Sequence, residues 1–166
     1  MPEANPPIQT GYLDKIGHPT VRIAVHGIHP NLKQEFEALI DTGFTGFLLM
    51  PLVSAFPLGL TLLGTSSYTL ADGSTSPKLL AFGTVTLQGQ ETSGVIVLET
   101  GQCGLLLGMA YLRAAKRTLI VSDTTVSLLD QDFVAKVVQE ATKEMQRTVA
   151  TSAGTDSDTP KASADG

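Results

Sequence analysis

From residue 20 to residue 129 the chain is written in short apolar runs cut by glycine, proline or aspartate, which confines it to strands joined by tight turns. In the clearest run, Val21, Ile23 and Val25 alternate with Arg22, Ala24 and His26. A period of two puts one strand face in a core and the other in water. Residues 26–31 read as a turn, after which residues 35–40 resume the strand, become apolar on both faces at Leu39 and Ile40, and stop at Asp41-Thr42-Gly43. Two further strands, residues 68–70 and 78–87, flank Ala71-Asp72-Gly73-Ser74, and an Asp-Gly pair between such runs is a strong hairpin signal. A turn at residues 88–91 leads to a strand over 92–98, and residues 118–121 and 125–129 form a last hairpin. With 16 glycines, 9 prolines and only 5% aromatic residues, the expected fold class is mainly all-β.

Helix is expected in three places. Residues 47–63 are apolar enough to suggest a membrane span, but Pro51, Pro57 and Gly59 interrupt them, and a spanning helix needs ~20 apolar residues. A strand, a turn and a short helix fit better. Leu105-Leu106-Leu107 runs into Gly108, and the small residues that follow predict a short helix over 109–115, closed by the cations Lys116 and Arg117. Phe133, Val137, Ala141 and Met145 recur every four residues beside Val134 and Val138, predicting an amphipathic helix with Asp130 or Asp132 as its cap. The expected organisation is a flexible lead-in over 1–11, one domain over 12–130, the helix over 131–149 and a disordered polar tail over 150–166.

Charge and composition exclude several functions. The net charge of -5, without any long run of Lys or Arg, gives no reason to expect a nucleic acid or an anionic membrane as partner. Cys103 is the only cysteine, so no intrachain disulfide or multi-cysteine zinc site can form, and a small buried apolar role is expected for it. His18, His26 and His29 lack the spacing of a ligand set and read as surface or turn residues, so no metal is expected. The first residues carry neither the basic start nor the apolar run of a secretory signal, and a cytoplasmic location is the expectation.

The chemistry gathers at Asp41-Thr42-Gly43-Phe44-Thr45-Gly46, entered through Ala38-Leu39-Ile40 and left through Phe47-Leu48-Leu49-Met50-Pro51. Asp followed by Gly is commonest as an ordinary turn, so the triplet alone says little. Its flanks say more: an apolar strand partly desolvates the carboxylate, and a glycine lets backbone amides approach it. Leu106-Leu107-Gly108 forms a second element, with the hairpin between the two. Asp123, Asp130 and Asp132 read as turn and cap residues.

In these two motifs the chain, from near Gly11 to Leu129, resembles the retropepsin-like aspartic proteases, especially bacterial single-domain members with Phe after the triplet. The resemblance implies a closed β-barrel with a flap hairpin, Asp41 as the catalytic residue and Thr42 and Gly43 as support for the active-site loop. It also implies Ala71, Asp72 and Gly73 at a substrate-binding flap, Leu106, Leu107 and Gly108 as the paired structural motif, and peptide hydrolysis without a cofactor. The chain departs from retroviral members at Phe44, where they carry Ala or Ser, and at Met109-Ala110-Tyr111, where an Arg is usual. It also lacks a clear counterpart of their terminal interface strands. Such enzymes need two carboxylates, and the triplet occurs once, so catalysis implies a homodimer acting on a peptide or protein substrate. The alternative is a non-catalytic peptide-binding or dimerisation module on the same fold.

Overall fold

The computed structural model describes residues 8–69 and 73–153, with side chains except at 68–69 and 150–153. It forms two compact units, residues 1–131 and 132–166.

The first unit holds ten strands: β1 (Ile8–Leu13), β2 (Pro19–His26), β3 (Gln34–Ile40), β4 (Leu48–Pro51), β5 (Thr61–Thr69), β6 (Thr75–Leu87), β7 (Gln90–Glu99), β8 (Leu105–Leu107), β9 (Arg117–Val121) and β10 (Val126–Asp130). They make one sheet in the order β5-β6-β7-β4-β8-β3-β2-β1-β10-β9, and an extra pairing of β2 with β6 closes six of them into a ring. That closure runs through Ala24, Val25 and His26 against Thr86, Val85 and Thr84. Among the described residues the unit also holds two short α-helices, α1 (Leu52–Ala55) and α2 (Met109–Ala114), and 3-10 turns at Pro30–Leu32 and Phe56–Leu58.

The period-two pattern folds as its polarity dictates. Val21, Ile23 and Val25 are buried while Arg22 is exposed, and Val126 and Leu128 do the same on β10. On β7, Ile96 and Leu98 point into the core cluster, and Val97 between them is buried as well.

Two expectations are corrected here. The lead-in expected over 1–11 gives way to a strand at Ile8: residues 8–11 pair with Leu129, Leu128, Ser127 and Val126 of β10. Side chains in polar-looking sequence make this possible. Gln9 is buried and donates from Nε2 to the Leu87 carbonyl at 2.8 Å, while Gln88 accepts from Thr10 N and donates to Thr10 O. Arg117, read as a helix-end cation, instead opens β9 with its side chain buried. Its Nε donates to Gln90 Oε1 at 2.9 Å, and Gln90 Nε2 donates to the Ala115 carbonyl at 3.1 Å. One amide thus accepts from the guanidinium and donates to the carbonyl of the residue that ends α2. Gln90→Ala is expected to cost about 3 kcal/mol in denaturant unfolding, because it strands several buried polar groups at once.

The second unit contains most of α3 (Gln131–Ala153), which runs four residues past the helix end expected at 149. Thr142 and Thr148 keep their hydroxyls on the helix by donating to the carbonyls of Val138 and Glu144. Among the described residues, no helix is long and apolar enough to cross a membrane.

Candidate active site

β8 lies between β3 and β4, parallel to the first and antiparallel to the second. Ile40 pairs with Leu107, and Leu107 in turn pairs with Leu48, so the strands on either side of the Asp41–Gly46 loop are both locked to Leu106 and Leu107. The loop continues the lock. Asp41 N donates to Leu107 O at 3.0 Å, Gly108 N to Phe47 O at 3.1 Å, Met109 N to Phe44 O at 2.9 Å and Ala110 N to Gly46 O at 3.1 Å. The last two bonds use loop carbonyls to satisfy the first amides of α2, which a helix cannot satisfy by itself. The structure thereby brings together Asp41, Gly43, Leu106, Leu107 and Gly108.

Asp41 is half-buried at the end of β3, just after the buried Ile40, and Gly43 N donates to its Oδ1 at 2.8 Å. A bond from a backbone amide to one carboxylate oxygen fixes the orientation of the side chain. A Cβ at position 43 would stand 3.1 Å from that oxygen, tighter than ordinary contact, so the glycine is what lets the amide close in. Thr42 is exposed.

Phe44, which resembles the bacterial pattern and departs from the retroviral one, has a structural role that local sequence does not reveal. Its ring occupies the space a Cβ would need at both Gly46 and Gly108, and the Phe44 backbone turns back to Asp41 O through its amide. Beneath the loop, Phe47 meets Tyr111 edge-on, with ring centroids 5.5 Å apart. Tyr111 is fully buried and its hydroxyl faces Thr92 without hydrogen-bond geometry. Burial pushes its ionisation up to about 12. Because the unfolded phenol ionises near 10, the folded state holds the proton longer, and stability falls as pH rises from about 10 toward 12. Tyr111→Phe is therefore expected to remove an alkaline loss of roughly 2–3 kcal/mol and to cost less than about 1 kcal/mol at neutral pH, read by urea unfolding across pH.

Of the hairpin expected to cover the site, the described part is β5 and β6, paired antiparallel from Thr61 with Phe82 to Thr69 with Thr75. Gly73 is exposed in left-handed backbone at φ +82°, as a turn glycine requires. Ala71 and Asp72 lie outside the described residues. Midway along the hairpin, Lys78 of β6, opposite Ser66, forms a half-buried ion pair with Glu99 of β7, in which the Lys78 ammonium holds the Glu99 carboxyl below its usual range. Nothing in the local sequence signals this pair, since its members stand 21 residues apart. Cys103 is half-buried rather than enclosed, and desolvation, with Glu99 beside it, pushes its thiol up.

The histidines are dispersed. His18 Nδ1 lies 3.2 Å from Asp14 Oδ2, and His29 is exposed. His26, expected at a surface or turn, is buried at the end of β2 with Nδ1 2.8 Å from Gly27 O. Among the described residues, no group of three or more His, Cys, Asp or Glu is placed to hold a metal ion.

No protein-family model matches the chain, and neither does any curated protein. Solved structures do. A retropepsin-like aspartic protease from Rickettsia conorii superposes with a TM-score of 0.56 at 16% identity, covering 74% of this chain and 90% of that one. EIAV protease complexed with the inhibitor HBY-793 superposes with a TM-score of 0.52 at 13% identity, covering 65% of this chain and 97% of that one. At these identities the likeness concerns the fold, and the mostly-β ring with β8 inserted between β3 and β4 is a retropepsin-like fold.

Proposed function

We propose that this protein is an aspartic-type endopeptidase that works as a homodimer, each copy contributing Asp41. The observation that carries the reading is the Asp41 carboxylate, held by the Gly43 amide just after the buried Ile40, with the Asp41 backbone tied to Leu107. A lone surface Asp-Gly turn needs none of that support. Two such carboxylates within ~3 Å cannot both ionise, so the pair shares one proton and titrates as a unit. The ionised member takes a proton from a water molecule, whose oxygen attacks the scissile carbonyl carbon while the protonated member donates to the carbonyl oxygen. Collapse of the tetrahedral intermediate breaks the C–N bond, and the amine leaves with a proton from the pair. No covalent enzyme intermediate forms.

In this reading Gly43 supports the loop, and Thr42, exposed on the same turn, reaches the matching loop of the second copy. Gly73, with Ala71 and Asp72, forms the tip that meets substrate, which lies extended as an added strand. The test is cleavage of a mixed peptide library at pH ~4 to 7 over a range of protein concentrations. Cleavage that rises faster than linearly with subunit concentration is expected. A wild type that is demonstrably dimeric and cleaves nothing would leave a peptide-binding or dimerisation module instead.

A further inference from the structure

α3 presents an apolar face to solvent. Val137, Val138 and Met145 are 48%, 58% and 70% exposed, and Ala141 is exposed beside them. Val134, Val138, Ala141, Met145 and Thr148 succeed one another at intervals of four, three, four and three residues, the spacing that carries a straight seam along a helix. The charged and amide side chains of Lys136, Gln139, Glu140, Lys143 and Gln146 fall on the opposite side of the helical wheel.

We propose that this seam is a self-association surface, on which α3 of one copy packs against α3 of a second. The proposal deepens the dimeric endopeptidase reading and rests on it for the need of a second copy. Three features of the helix favour its own copy as occupant. No seam position is charged, so self-pairing buries no like charges. The helix carries three acidic residues, Asp132, Glu140 and Glu144, against three basic ones, Lys136, Lys143 and Arg147. Its net charge is therefore zero, and the -5 of the chain resides elsewhere, so two helices meet without the repulsion the rest of the chain would impose. In proteins, packing of an amphipathic face, rather than helix propensity, is the usual source of a helix's stability. Because α3 follows β10 without an intervening segment, paired helices would hold two Asp41 half-sites at high effective concentration.

The experiment uses the full chain in analytical ultracentrifugation, comparing wild type with Val138→Glu/Met145→Glu, and follows peptide cleavage against concentration in parallel. The variant is expected to weaken dimerisation at least about 10-fold and to shift the cleavage curve by the same factor, with cleavage per dimer retained. A dimeric wild type whose affinity is unchanged by the variant would overturn the proposal, as would a wild type that stays monomeric at every concentration. A cysteine pair gives an independent check that does not depend on tolerance of glutamate. In a Cys103→Ser background, Ala141→Cys is expected to cross-link two copies on mild oxidation and Gln139→Cys is not, and equal cross-linking at both positions would also overturn it. The two readings fail separately. Seam-dependent dimers that cleave nothing remove the endopeptidase and leave the helix pairing. Concentration-dependent cleavage indifferent to the seam does the reverse.

Discussion

Asp41→Asn is expected to lower peptide cleavage by about 10³-fold or more, the scale of losing a positioned acid–base group, while leaving the fold intact. The amide keeps an oxygen that can accept from Gly43 N, so the loop geometry and the bond from Asp41 N to Leu107 O are retained. What is lost is the shared proton, since an amide neither ionises nor donates as a carboxylic acid does. The loss should appear in the rate and not in the melting temperature. A mixing experiment adds the stoichiometry. If each site takes one carboxylate from each copy, equal amounts of wild type and variant, allowed to exchange, leave only about a quarter of dimers with both aspartates. Activity per wild-type chain should then fall to about half, whereas a monomeric enzyme would keep all of it.

Gly108→Ala is expected to destabilise the protein by about 3 kcal/mol, lowering the melting temperature by on the order of 10 °C. A Cβ here would collide with the Gly46 carbonyl oxygen and stand 2.5 Å from the Phe44 carbonyl oxygen and 2.6 Å from the Phe44 ring. Two of these are backbone atoms already committed to the first amides of α2, so relief requires moving the catalytic loop or the helix. Gly104→Ala is the control, because no atom lies within 4 Å of its added methyl and its backbone is not left-handed. It should change stability by no more than about 0.5 kcal/mol. Scanning calorimetry on the pair separates a tertiary requirement for glycine from the general cost of altering one. Residual cleavage in Gly108→Ala should be reduced beyond its loss of stability, since the same strain reaches Asp41 through Leu107.

The parts of the molecule legible in sequence are those whose cause is local. The alternation of Val21, Ile23 and Val25, the apolar entry at Leu39 and Ile40 and the wheel of α3 each state their structure within a few residues, because strand pleat and helix turn repeat over that distance. The motif pair Asp41-Thr42-Gly43 and Leu106-Leu107-Gly108 was likewise readable, as was the hairpin between them. How the chain closes was not. That β8 slots between β3 and β4, that the Gln9 and Gln90 amides bond the Leu87 and Ala115 carbonyls, and that Lys78 finds Glu99 all depend on pairings between residues far apart in sequence. Arg117 looked like a helix-end cation because a charge beside a predicted helix end has an obvious local use, and only the buried Gln90 amide makes its actual place tolerable. Phe44 shows the division most plainly. Sequence marked it as the residue after the triplet, whereas packing decides that its ring fills the space left by two glycines, Gly46 beside it and Gly108 far along the chain.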